Sequence, residues 1–257
     1  MRPGLAVLAT AVVVLLAGAE QAGAQEKPPY PWDKRVESAD RYARLRHGRV
    51  AFAVVDPSGR VRGRNIHERH RSASVVKAML LVAYLNRVSG RALNRRDKAL
   101  LRPMITRSDN RAATLVRNIV GNAGLVRVAR RVRMKDFATA PSWGSTQISP
   151  YDQTRLFWRI DAFVPKRHRG YARALLSNVI ASQRWGLPPA LPSGWRIYFK
   201  GGWLPPRLVN QVGLLERGNT HIAIAVFTDG DPSFGYGQGT ITGVARKLLL
   251  RVNAFTP

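Results

Sequence analysis

The chain has 257 residues, of which 42 are Lys or Arg and 15 are Asp or Glu, for a formal net charge of +27. With 45% hydrophobic residues it can bury the core of one or two domains, which excludes general disorder. It has no cysteine, which excludes disulfides, thiol catalysis and Cys-ligated metals.

Residues 1–24 read as an export signal. Arg2 supplies the positive start, "LAVLATAVVVLLAGA" the apolar stretch, and Ala22-x-Ala24 a small-residue cleavage site ahead of Gln25. The apolar run falls short of the ~20 residues that a membrane span needs. A second such run is absent from the sequence. The expectation is a mature chain in the periplasm, the cell wall or the medium, without a membrane span, acting as a monomer. Residues 25–32 form a Pro-rich lead, and residues 33–257 are expected to form a single domain.

Helical spacing covers 33–46, and "GRVAFAVVD" (48–56) has the β-branched and aromatic content of a strand. "PSGR" is a turn, and "VRGRNIHERH" (61–70) reads as the return strand of a hairpin. "VVKAMLLVAYLNRV" (75–88) is apolar on most faces, which predicts a buried helix. Further helices are predicted from "RRDKALLRPMI", with Pro103 a kink or boundary, from "RAATLVRNIVG", which stops at Gly121, and from "AGLVRVARRVRM". "SPYDQTRLFWRI" opens with Ser149 as N-cap, Pro150 in the first helical position and Asp152 in the first turn. "HRGYARALLSNVIASQ" is another helix. Strands return as "WRIYFKGGW", "RLVNQVGLLE" and "HIAIAVFTDG", and "TITGVARKLLLRVN" closes the chain as a helix. This order predicts an α/β (α+β) fold: a five-stranded antiparallel sheet flanked by terminal helices, with an all-helical lobe inserted over about 75–190.

Most of the positive charge is scattered as single Arg residues. Clusters such as "PKRHRGYAR" lack the interleaved aromatics of a single-strand binder and the spacing of a zinc finger, so a specific nucleic-acid partner is not expected. Anionic wall polymers are a compatible non-specific partner. No metal or other cofactor is expected. The histidines of "HERH" (His67, His70) fall in the return strand, where they would face opposite sides, and read as surface residues.

Three short motifs carry the chemistry. "SASVVKAML" places Ser74 three residues before Lys77 at the head of the buried helix. Residues three apart share a helix face, and burial lowers an amine's pKa. Lys77 is then suited to take the Ser74 proton, and free N–H groups at the helix N-terminus suit a developing oxyanion. The second motif is Ser108-Asp109-Asn110 between two predicted helices, and the third is Lys200-Gly201-Gly202 in a late strand, where glycine permits close backbone approach. Each alone has a bland alternative: a snorkelling lysine, a helix cap and a bulge.

In this order the three resemble Ser-x-x-Lys, Ser-Asp-Asn and Lys-Thr-Gly of the class A β-lactamases and penicillin-binding proteins. The resemblance spans roughly residues 33–257 and includes "ITRSDNRAATLV" and "LPSGWRIYFKGG". It implies Ser74 as the acylated nucleophile and Lys77 as its base or proton relay. Ser108 would pass the proton to the leaving nitrogen. Asn110 would bind a substrate amide and position Lys77. Lys200 would sit across the cleft from Ser108 and attract a substrate carboxylate. The N–H groups of Ser74 and Trp203 would form the oxyanion hole, Gly201 and Gly202 would line the substrate, and Asp109 would brace the loop.

Two departures stand out. No Glu occurs from residue 111 to residue 199, so the glutamate that activates the deacylating water in class A enzymes has no counterpart. Of the acids in that span, Asp152 reads as a helix-start charge, Asp161 lies too late, and Asp136 is the one candidate substitute. Gly201 also stands where the family has a Thr or Ser hydroxyl for the ligand carboxylate. The expected function is therefore an exported, β-lactamase-like serine hydrolase, cleaving a β-lactam or peptidoglycan peptide with slow deacylation. The alternative is a non-catalytic penicillin-binding or cationic wall-binding module that retains the fold.

Overall fold

The structure is a computed structural model that describes residues 29–205 and 207–255. The expected export signal, the Gln25 start and Pro206 lie outside the described residues. The elements, in chain order, are α1 (Trp32–Arg44), β1 (Arg49–Val55), β2 (Val61–Arg64), β3 (His70–Arg71), α2 (Lys77–Arg87), α3 (Arg95–Thr106), α4 (Asn110–Val132) and β4 (Gln147–Ile148). They continue with α5 (Pro150–Trp158), α6 (Ile160–Phe163), α7 (Arg169–Ser177), β5 (Arg196–Leu204), β6 (Leu208–Arg217), β7 (Thr220–Asp229) and α8 (Phe234–Leu249). Among the described residues no helix is long and apolar enough to cross a membrane.

Five strands form one sheet in the order β2-β1-β7-β6-β5, every pairing antiparallel, as the element order predicts. The two N-terminal strands join the three C-terminal ones through β1 and β7, and the helical lobe is inserted between the halves. Strand β7 is buried on both faces, which explains its unbroken apolar run. Ile222, Ile224 and Val226 point to the side of α1 and α8. Ala223, Ala225 and Phe227 point to the lobe, in the two-residue alternation of a strand. The core is accordingly split into two clusters, one on each face of the sheet. Strand β5 is an edge, and its open side borders the lobe.

Several boundaries differ from expectation. The return strand ends at Arg64, because Asn65 takes a left-handed φ of +48° that turns the chain out of the sheet. The remainder forms β3, which pairs with β4 in a separate two-stranded ribbon. His67 is exposed as expected, but His70 is buried at 1% exposure against Phe227, so the surface reading fails there. Helix α3 runs through Pro103 to Thr106. The two helices predicted around Gly121 are continuous in α4 except for a break at Gly121 itself (φ 65°, ψ 175°). Helix α8 starts six residues before the predicted "TITG" start, capped by the Ser233 hydroxyl, which accepts from Tyr236 N (3.1 Å).

Candidate active site

Ser74 lies in a tight 3-10 turn, Ala73–Val76, and Lys77 opens α2 directly after it. Ala73 has φ +44°. A left-handed, non-glycine residue of this kind costs about 1–3 kcal/mol and persists where its surroundings enforce it. The enforcement is visible on both sides of the turn. Ser72 donates its N–H to Thr146 O at 2.8 Å, which ties the turn to the loop between α4 and α5. On the other side lies Gly202 of β5, where a Cβ would come within 2.5 Å of Ser74 N and 2.7 Å of Val75 N. Only glycine lets the edge strand approach the nucleophile's backbone so closely.

The second motif enters from the loop between α3 and α4. Asp109 caps α4 by accepting from Ala112 N at 2.7 Å, which places Asn110 in the first helical position. Ser108, before the cap, has φ +59°, so its carbonyl and hydroxyl both face Lys77. The Lys77 amine donates to Ser108 O (2.5 Å), Asn110 Oδ1 (2.8 Å) and Ser108 Oγ (3.2 Å).

Lys200 reaches the same hydroxyl. Its amine lies 3.1 Å from Ser108 Oγ and 2.7 Å from Gly201 O. Lys200 thus faces Ser108 from β5 and donates to its hydroxyl directly. Both lysines are fully buried, and neither has an ion-pair partner among the described residues. Burial lowers the Lys77 pKa to about 7, with the Asp109 charge pulling it back up. Burial, and then the Lys77 charge, hold Lys200 well below the usual lysine range. Two like charges this close disfavour each other, which adds to burial in favouring the neutral form of Lys200. The Ser108 hydroxyl has one proton and two lone pairs. It can accept from one amine and donate to the other, which makes a short proton path from Lys77 to Lys200.

Ser74 and Lys77 adjoin along the turn, but no hydrogen bond joins their side chains among the described residues; the amine is held on Ser108 and Asn110. Catalytic contacts are often long before substrate binds and tighten with it.

The cleft above these groups has a volume of about 370 Å³ and is lined by Ser74, Ser108, Asn110, Arg107, Trp143 and Trp203, among others, with no carboxylate. Asp136 is turned away from it. Its carboxylate accepts from the Ser149 hydroxyl (2.7 Å) and lies 2.8 Å from His67 Nδ1. Asp152 is buried beneath the loop and accepts from the N–H groups of Lys135 and Asp136 (both 2.8 Å), a fastening role beyond that of a helix-start charge. Asp161 pairs with Arg173 (3.3 Å). What faces Lys77 from the loop is the Trp143 ring, its centroid 4.7 Å from the amine. The Trp143 N–H lies 3.2 Å from Thr114 Oγ1, which holds the ring in place. Sequence reasoning missed Trp143 and Arg107. The one available signal for Trp143 was a lone aromatic in the small-residue stretch "APSWGS". Among the described residues no cluster of His, Asp and Glu could hold a metal ion.

A family model described as "Beta-lactamase enzyme family" matches residues 96–252. Among solved structures the chain resembles a beta-lactamase from Sphaerobacter thermophilus (TM-score 0.76, 20% identity, covering 89% of this chain and 100% of that one). It also resembles a beta lactamase from Xanthomonas campestris pv. campestris (TM-score 0.71, 20% identity, 84% and 96%). A third is a variant of PBP-A, solved as an acyl-enzyme complex with penicillin G (TM-score 0.74, 17% identity, 89% and 100%). At these identities the likeness is one of fold. No curated protein matches the chain significantly.

Proposed function

This chain belongs to the beta-lactamase enzyme family, and from that premise we propose that it is an exported serine hydrolase that opens an amide, in a β-lactam or a cell-wall peptide, through an acyl-enzyme on Ser74. The observation that carries this reading is the meeting of two buried lysines on one hydroxyl, Ser108, beside Asn110 and above the Ser74 turn. A structural role alone gives no reason to bury two unpaired amines.

Neutral Lys77 takes the Ser74 proton as Oγ attacks the carbonyl carbon. The new oxyanion lies between the N–H groups of Ser74 and Trp203, on the turn and on the open edge of β5. Asn110 holds the substrate amide and keeps Lys77 aimed. The proton passes from Lys77 through Ser108 to the leaving nitrogen as the C–N bond breaks, leaving the acyl group on Ser74. Lys200 completes the path by biasing the Ser108 hydroxyl. Residues 33–257 form the catalytic domain, residues 1–24 direct export, and the mature protein works as a monomer at the wall.

Deacylation is the slow half of this cycle. Release needs an activated water, and the cleft presents Trp143 to Lys77 where a carboxylate would be needed. The capture of a PBP-A variant as an acyl-enzyme with penicillin G supports a long-lived ester in this fold. Asp136 is committed to His67 and Ser149, so Asp136→Asn should leave the acyl-enzyme lifetime within about twofold of the parent, measured by mass. A large increase in that lifetime would make Asp136 the base.

A fluorescent penicillin tests the nucleophile. It should label the protein on the peptide that carries Ser74, and Ser74→Ala should abolish the label while preserving the thermal unfolding transition. Label that survives in Ser74→Ala sinks the assignment. A parent protein that binds the probe reversibly, with no covalent label, would favour the non-catalytic module.

A further inference from the structure

We propose that Trp185, Trp203 and Phe234 form an aromatic subsite at the β5 end of the cleft, selecting acyl donors whose leaving group carries a flat apolar ring rather than a carboxylate; this rests on the acyl-enzyme reading above.

The first support is what replaces the missing hydroxyl at Gly201. A Cβ built there would lie 2.9 Å from Trp185 Cη2 and 3.1 Å from Cζ2. The space of a Thr or Ser side chain is thus already taken by an indole, and Gly201 and Trp185 fit each other as a pair. The second support is rigidity. Trp185 O accepts from Gln211 Nε2 (2.8 Å), and Gln211 Oε1 accepts from Leu187 N (2.6 Å), so a fully buried side chain from β6 clamps the tryptophan segment at two points.

The rings also form one body. Trp185 meets Trp203 edge-on at 6.0 Å and Phe234 at 5.5 Å, and Trp203 meets Phe234 at 5.6 Å. Trp203 lines the same cleft as Ser74. Phe234 is 36% exposed, so the cluster is open to a ligand on one side. Aromatic pairs at such spacings gain beyond their buried area, and a ligand ring can join them.

The fourth support is the cation. The Lys200 amine is fully buried, with its hydrogen bonds turned to Ser108 and Gly201, so it offers no exposed charge to a carboxylate. Among the described residues Arg107 is the cation that lines the cleft, next to Ser108 in the chain.

Two esters with the same acyl group provide the probe, one with a phenyl and one with a 3-carboxyphenyl leaving group. In each, the Ser74 Oγ–acyl bond forms, the ester C–O bond breaks, and the phenol departs with the proton that Ser74 gave up. The neutral phenyl ester should acylate Ser74 faster by about tenfold, the scale of one aromatic contact. Phe234→Ala should bring the two rates within about threefold of each other. In the double variant Gly201→Thr/Trp185→Ala, which exchanges the indole for a hydroxyl, the preference should reverse; Gly201→Thr alone should lose activity toward both, because Trp185 still occupies the space. A parent protein that prefers the carboxyphenyl ester overturns the subsite, as does a preference unmoved by Phe234→Ala or by the double variant. If neither ester reacts while fluorescent penicillin still labels Ser74, the subsite fails and the acyl-enzyme reading stands. If penicillin does not label either, both fall.

Discussion

A penicillin mixed with the mature protein is expected to have about one equivalent of its β-lactam opened in a burst, held on the protein as the acyl-enzyme, and almost none thereafter. The later turnover should lie on the order of ten-thousandfold below an efficient β-lactamase, because a positioned general base is worth about 10²–10⁴ in rate. The expectation rests on the loop between α4 and α5. It is short, it is fastened by the buried Asp152, and it presents Trp143 rather than a carboxylate to Lys77. With no carboxylate lining the cleft, Lys77 is the group this reading assigns to activate water, and it does so only while neutral. A pKa of about 7 makes it neutral in part at neutral pH. A glutamate inserted between 136 and 146 should give little rescue, because a carboxylate there has no scaffold to aim it. Absorbance at the β-lactam band follows both phases. Sustained rapid hydrolysis would show that another base operates.

Replacing Lys77 with methionine should slow acylation by about 10²–10⁴-fold, the usual worth of a general base. It should do so without unfolding the protein. The sign follows from burial. The Lys77 pKa falls from the ordinary 10.5 to about 7 in the folded chain, so between those values the unfolded chain binds more protons and stability rises with pH. Below pH about 7 the cost of burying the charge is fully present. Lys77→Met removes that cost, and its gain in thermal stability should be largest at acidic pH. The catalytic profile has the same origin. Parent acylation should rise about tenfold from pH 6 to pH 8 as the amine loses its proton, with the midpoint near pH 7, and the rise should vanish in Lys77→Met. A Lys77→Met protein that acylates at the parent rate would remove Lys77 from the proton path.

The sheet and its insertion were legible because strands and helices here keep clean periods. "HIAIAVFTDG" predicts a strand, and its unbroken apolar character matches its burial on both faces. The motif order likewise pointed to Ser74, Lys77, Ser108, Asn110 and Lys200, and the fold brings Lys77, Ser108, Asn110 and Lys200 into one hydrogen-bonded group. What stayed hidden depends on contacts far apart in sequence. Lys200 reads as an anion-binding charge in "YFKGG", and the sequence gives no sign of its burial or of its hydrogen bond to Ser108, 92 residues away. Gly201 reads as a lost hydroxyl, whereas in the fold it makes room for Trp185. The break at Asn65 was invisible because residues 61–70 carry strand character past a single left-handed residue. The early start of α8 was masked by its glycines, one of which, Gly237, packs where a Cβ would meet Val209.

The most direct test of the covalent reading is the intact mass of the mature protein, followed in time after mixing with a penicillin. The mass should rise within the mixing period by that of one whole penicillin molecule, persist long after the free drug is removed, and map by peptide digestion to Ser74. A mass that never changes, or an adduct placed on another residue, would contradict it.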